Sequence, residues 1–214
     1  MINAINALRS LASSPSTDST QVYELLAGAL QLEVGPSKRA CVRNSTIVGS
    51  SQALLTLESQ EIALKKIFTG DDGVKVSRGG DFNTKILLIM PDVYIPQNMT
   101  VERLSLLQNS NDSKIHWVGL GQPELPNWQD ACALLAKYFL LQPKGQVIEN
   151  GLDVSGKWNK IDCIGPNGFP VVLTARWNSA IDGWEVIFWG FDEGGEWGTE
   201  RFVLTPAIAV PPAL

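Results

Sequence analysis

Histidine is nearly missing from this chain: of 214 residues, His116 alone is one. Cysteine is sparse too, with Cys41, Cys132 and Cys163 far apart and odd in number. That spacing makes no disulfide framework, and there is no CxxC pair or Cys/His cluster. These shortages exclude most zinc sites and any catalytic arrangement that needs a second histidine. Charge is scarce as well, at 18% of residues, against roughly 25% in soluble domains. No apolar run approaches the roughly 20 residues of a membrane span. Met1 to Ser14 lacks the basic start and unbroken apolar stretch of a signal peptide, because Asn3, Asn6 and Arg9 interrupt it. The expectation is a cytoplasmic protein, or a virion component if the source is viral.

Concentrated positive charge is also lacking. The net charge is −5, yet Gly35 to Asn83 carries seven Lys/Arg against five Asp/Glu, while Trp158 to Leu214 carries three against seven. A nucleic-acid ligand needs a dense basic face, so none is expected. An acidic end opposite a mildly basic middle would orient head-to-tail contacts between copies; ordinary solvated surface charge is the plainer account. Catalytic signatures are absent: there is no GxSxG and no P-loop. Gly119-Leu120-Gly121 is part of a dinucleotide fingerprint but lacks the third glycine and precedes Pro123 rather than a helix.

What the chain does have is apolar residues, 44% of the total, and length enough for a core without disulfide or metal. The fold expected is α+β, in three stretches: an N-terminal helical segment over 1–34, a mixed strand/helix middle over 35–150, and an antiparallel meander over 151–214, all in one compact unit. Ile2, Ile5, Leu8 and Leu11 recur at helical spacing, and a second amphipathic helix fits Thr20 to Leu32 before Gly35-Pro36 stops it. Strand composition marks Ala40 to Val48 and Ala53 to Glu58, and Glu61 to Phe68 reads as strand between closely spaced turns. The continuous apolar run Lys85 to Met90 suits a strand buried on both faces. Thr100 to Gln108 fits a helix through Val101, Leu104 and Leu107, and Ile115 to Leu120 fits a strand. Trp128 to Leu141 is the strongest helix, with Asn127 as N-cap, Asp130 in the first turn and Pro143 beyond its end. Four meander strands then follow: Lys157 to Cys163, Phe169 to Trp177, Trp184 to Phe191 and Arg201 to Thr205.

Five of the seven tryptophans lie between Trp158 and Trp197. Alternation along a strand assigns Trp177 and Trp184 to a core face. The strand from Trp184 to Phe191 is apolar on both sides apart from Glu185, so something must cover its second side. Trp158, Trp189 and Trp197, with Arg201 beside them, are the candidate contact residues. Trp serves cores, protein interfaces and sugar platforms alike, and each use stays open at this level. The loop Asp192-Glu193-Gly194-Gly195-Glu196 has oxygen ligands at calcium-like spacing, but it departs from the EF-hand pattern and reads as an acidic turn. If the middle stretch were an open α/β layer, Asp92 and Glu124 would stand at strand ends and could form an acid/base pair.

The sequence therefore supports a non-enzymatic structural or assembly protein acting through protein–protein contacts, with itself or other subunits, such as part of a virion or phage tail. No cofactor or metal is expected. The first alternative is a carbohydrate- or receptor-binding module using the C-terminal tryptophans; the second is a small α/β enzyme using Asp92 and Glu124.

Overall fold

Period-two alternation writes most of this fold. In the computed structural model, residues 43–207 are described apart from Gln122, Asp192, Gly194 and Glu200. The chain divides into two units, Met1–Ala40 and Cys41–Leu214, and the second is the one described. The two expected N-terminal helices and Cys41 lie outside the described residues.

Seven strands are described: β1 (Val48–Leu57), β2 (Val76–Arg78), β3 (Met99–Leu106), β4 (Asn159–Ile164), β5 (Pro170–Asn178), β6 (Gly183–Gly190) and β7 (Phe202–Pro206). They form one open mixed sheet in the order β1-β3-β7-β4-β5-β6-β2. The expected α+β class and the antiparallel hairpins β4-β5-β6 are present. The four-stranded antiparallel meander is not, because its last strand leaves it. β7 runs antiparallel to β3 and parallel to β4, with Phe202 opposite Asn159. The outer edge of β6 is already taken by β2, where Val76 pairs with Trp184 in parallel. β7 also needs cover on both faces, since Phe202 through Thr205 are all buried. The two apolar clusters supply that cover, taking Leu204 on one side and Val203 on the other, while β3 and β4 pair its two edges.

Helix α2 (Trp128–Leu141) matches its expected bounds, and the Asn127 side chain accepts from the Asp130 N–H at 2.8 Å. That satisfies one of the orphan donors of the first turn. Other middle segments change type. Glu61 to Phe68 is not a strand: helix α1 (Leu64–Thr69) lies there and ends on Gly70 in the left-handed conformation. Lys85 to Met90 is not a strand either, but the end of a wide helical turn over Phe82–Ile86 followed by a tight one over Leu87–Ile89. Lys85 pairs with Asp81 one turn back at 2.8 Å, and the run has no neighbouring strand to pair with. Ile115 to Leu120 likewise closes as a wide turn over Lys114–Gly119, with the Asn111 side chain accepting from the Lys114 N–H at 2.9 Å. Conversely, Thr100 to Gln108 is β3 rather than helix. Its Val101–Leu104 spacing imitates a helix, while pairing to β1 and β7 decides for strand. In Ala40 to Val48, of the described residues 43–48 only Val48 is in β1, after a turn in which the Asn44 side chain accepts from the Thr46 N–H. Short apolar runs read the same in either state, so available partners decide.

One face of the sheet, the first face, packs on α2 and α1. Phe139 of α2 stacks on Trp184 of β6 with centroids 4.7 Å apart, and the Trp184 indole N–H donates to the Gln142 carbonyl at 3.1 Å. Trp177 meets Trp184 edge-on, so both tryptophans assigned inward are in this core. Fully burying a side chain such as Phe139 contributes about 2–3 kcal/mol. Gly145 has to be glycine: its φ is +61°, and a Cβ would lie 2.2 Å from the Trp177 ring.

Candidate functional site

The other face of the sheet carries different residues. Lys160 and Asp162 stand two apart on β4, so both point to this second face. Strand pairing sets Val203 and Thr174 on either side of Lys160, and Val172 beside Asp162. A second apolar cluster surrounds them, built from Ile47, Val48, Leu104, Leu106, Ile115 and Trp197 among others. Two segments cover this face. Ser110 and Trp197 are joined by a pair of backbone bonds at 3.0 and 2.8 Å, and the wide turn Lys114–Gly119 follows directly.

Under this cover lies an ion triad. Lys160 is 0% exposed, with its Nζ 2.9 Å from Asp112 Oδ1 and in closer contact with Asp162 Oδ1. The three formal charges sum to −1, and all three side chains are buried. Removing an ammonium and two carboxylates from water costs several kcal/mol per ion, which mutual attraction offsets only while every partner is in place. The Lys160 Nζ also lies 5.6 Å from the Trp197 ring centroid, and the Arg201 guanidinium lies 4.7 Å from the same ring. Trp197 thus binds two cations by its π system.

His116 is buried beside this triad and meets Trp117 edge-on at 4.7 Å. Burial, reinforced by the Lys160 charge, pushes its pKa down to about 4, so it is neutral at pH 7. His116 Nδ1, Ser110 Oγ and the indole nitrogens of Trp189 and Trp197 are buried without a hydrogen-bond partner among the described residues. Buried polar atoms are nearly always paired. These four atoms lie on the same sheet face as the buried triad, and together they make the second face the candidate site.

The four contact residues named from the sequence separate here. Trp197 is 4% exposed and Arg201 half-buried, and they come together over Lys160. Trp189 is half-buried and packs at the margin of the same cluster. Trp158 lies elsewhere, with the Arg176 guanidinium 4.4 Å above its ring and Arg176 bound to Glu185 at 2.7 Å. Asp92 and Glu124 are both exposed, and Asp92 lies 3.9 Å from Lys65. Neither follows a strand, so the crevice that would have joined them as an acid/base pair is not built. In the acidic loop, Glu193 turns back to accept the Gly190 N–H at 2.7 Å, and Asp192 lies outside the described residues. Among the described residues no group of three or more His, Cys, Asp or Glu is placed to hold a metal ion. No described helix is long and apolar enough to cross a membrane.

Two features escaped the sequence reading. One is the triad. Its signal was present in β4, where a Lys and an Asp share one face and Ile161 and Cys163 lie on the other. The other is an apolar ridge over residues 88–95. Leu88, Ile89, Val93 and Ile95 are all exposed, from 49% at Val93 to 73% at Leu88. The segment is nonetheless anchored. Met90 is buried, Tyr94 exchanges two 2.9 Å backbone bonds with Ile62, and the Tyr94 hydroxyl donates to Asp130 at 3.0 Å.

Fold and site together define an α+β protein with an open mixed sheet, one apolar face and one face built around buried charge. Comparison of the chain with protein-family models, curated proteins and solved structures returned no match.

Proposed function

We propose that this protein is a non-enzymatic assembly subunit that works through protein–protein contacts, as a virion or tail component would. The carrying observation is the ridge Leu88, Ile89, Val93 and Ile95, which is apolar, exposed and anchored through Tyr94 and Met90. Apolar side chains clustered in one exposed segment are a liability for a lone protein and an asset at an interface. Such anchoring lowers the entropy lost when a partner covers them. The partner we assign is a second copy of this chain. Low overall charge agrees, since little charged surface needs desolvating on contact.

Light scattering on the full chain over a concentration series tests this reading. Association that weakens in a Leu88→Asp, Ile95→Asp double variant is expected. A strict monomer at high concentration would sink it, and quenching of Trp fluorescence by soluble sugars would favour the carbohydrate-binding alternative.

A further inference from the structure

We propose that Lys160 and Asp112 form an intramolecular isopeptide bond, with Asp162 as the proton relay. The inference rests on the triad and is independent of the assembly reading. An ammonium and a carboxylate in water do not condense, because both charged forms are stabilised by hydration. Here hydration is gone: Lys160, Asp112 and Asp162 are all buried, and the Lys160 Nζ stands 2.9 Å from Asp112 Oδ1. An apolar surrounding excludes the water that would otherwise compete for the amine and the carboxyl carbon. The surroundings supply that medium, since Leu104, Ile115, Val172, Trp197 and Val203 form the cluster at this place.

The two carboxylates have different parts. Asp162 makes the closer contact with the ammonium and shares its strand, so it is the first proton acceptor. Asp112 comes from the covering segment and presents the carbon to be attacked. The Lys160 ammonium passes a proton through Asp162 to a carboxyl oxygen of Asp112. The Nζ–Cγ bond forms, the Cγ–Oδ bond breaks, and water departs with that oxygen and two of the ammonium's protons. The amide keeps the third proton, and Asp162 ends as it began. No oxidant, metal or other co-reactant is needed. Proximity is the main catalytic contribution, as the reacting groups are held at contact distance by two folded elements. The product would tie the segment before the wide turn Lys114–Gly119 to a central strand of the sheet.

Intact mass spectrometry of the full chain, purified folded and then denatured, is the deciding measurement. The expected mass is one water below that of the sequence, and a digest should yield a branched peptide joining Lys160 to Asp112. Lys160→Arg and Asp162→Ala should each restore the full mass. A wild-type mass equal to the sequence mass overturns the proposal, whatever the variants do. So does a dehydrated mass traced to a cyclic imide at Asp72-Gly73 or Asp182-Gly183, or to a bond from Lys160 to Asp162.

Discussion

The two faces of the sheet solve the same burial problem with opposite chemistry. On the first face, α2 lays a nearly all-buried surface over Trp177, Trp184 and Phe188; the Trp184 indole is paired with Gln142, and Arg78 and Arg103 reach in from the sheet to the Phe68 and Gly151 carbonyls. On the second face, short turns and the Trp197 segment cover an ion triad, a neutral histidine and several unpaired polar atoms. The first face is stabilised by area, so its losses are graded. The second depends on every partner being present, so its losses are abrupt.

Breaking the triad is expected to have the largest effect. Lys160→Met removes the Lys160 nitrogen, as ammonium or as the proposed amide, and leaves Asp112 and Asp162 buried together without it, so chemical denaturation should show a loss of about 3–5 kcal/mol. Replacing all three at once with Met and Leu should recover most of that, because no ion is then left unpaired. A loss below about 1 kcal/mol for the single variant would place the two faces on the same footing.

Acid should separate the faces next. His116 has its folded pKa at about 4 against an ordinary 6.5, so the unfolded chain binds the proton first. Its contribution is complete above pH 6.5 and is lost as pH falls through the window down to about 4. The loss over that window is at most about 3 kcal/mol. Denaturation midpoints between those limits should fall more steeply in the wild type than in a His116→Gln variant. Identical slopes would show that His116 is not buried against the triad.

The smallest expected effect lies on the first face. Asn127→Ala removes the cap of α2 and should lower stability by about 1 kcal/mol, with no pH dependence of its own above pH 5. A larger loss would mean that the Asn127–Asp130–Tyr94 network also holds the exposed ridge, since Asp130 accepts from both Asn127 and Tyr94.

Legibility in the sequence followed the same division. Trp177 and Trp184 were assigned inward by alternation alone, and α2 with its Asn127 cap was readable from local signals. These depend on periodicity and on neighbours in the chain. The second face was not readable that way. Asp112 and Lys160 are far apart in sequence and meet where Ser110 pairs with Trp197. Trp197, named as a contact residue, is instead roofed by its own fold between Lys160 and Arg201. Lys85 to Met90 and Thr100 to Gln108 were misread for a related reason, since strand or helix was decided by which partners stood alongside.

By itself, then, the sequence determined the apolar alternation of β4, β5 and β6, the capped helix that covers them, and the shortage of charge and histidine. Those are properties of a residue and its near neighbours. Tertiary structure decided that β7 would leave the meander for a place between β3 and β4, and that Lys160 would lie buried between two aspartates. Edge competition and desolvation act between distant segments, so neither is written in any local pattern.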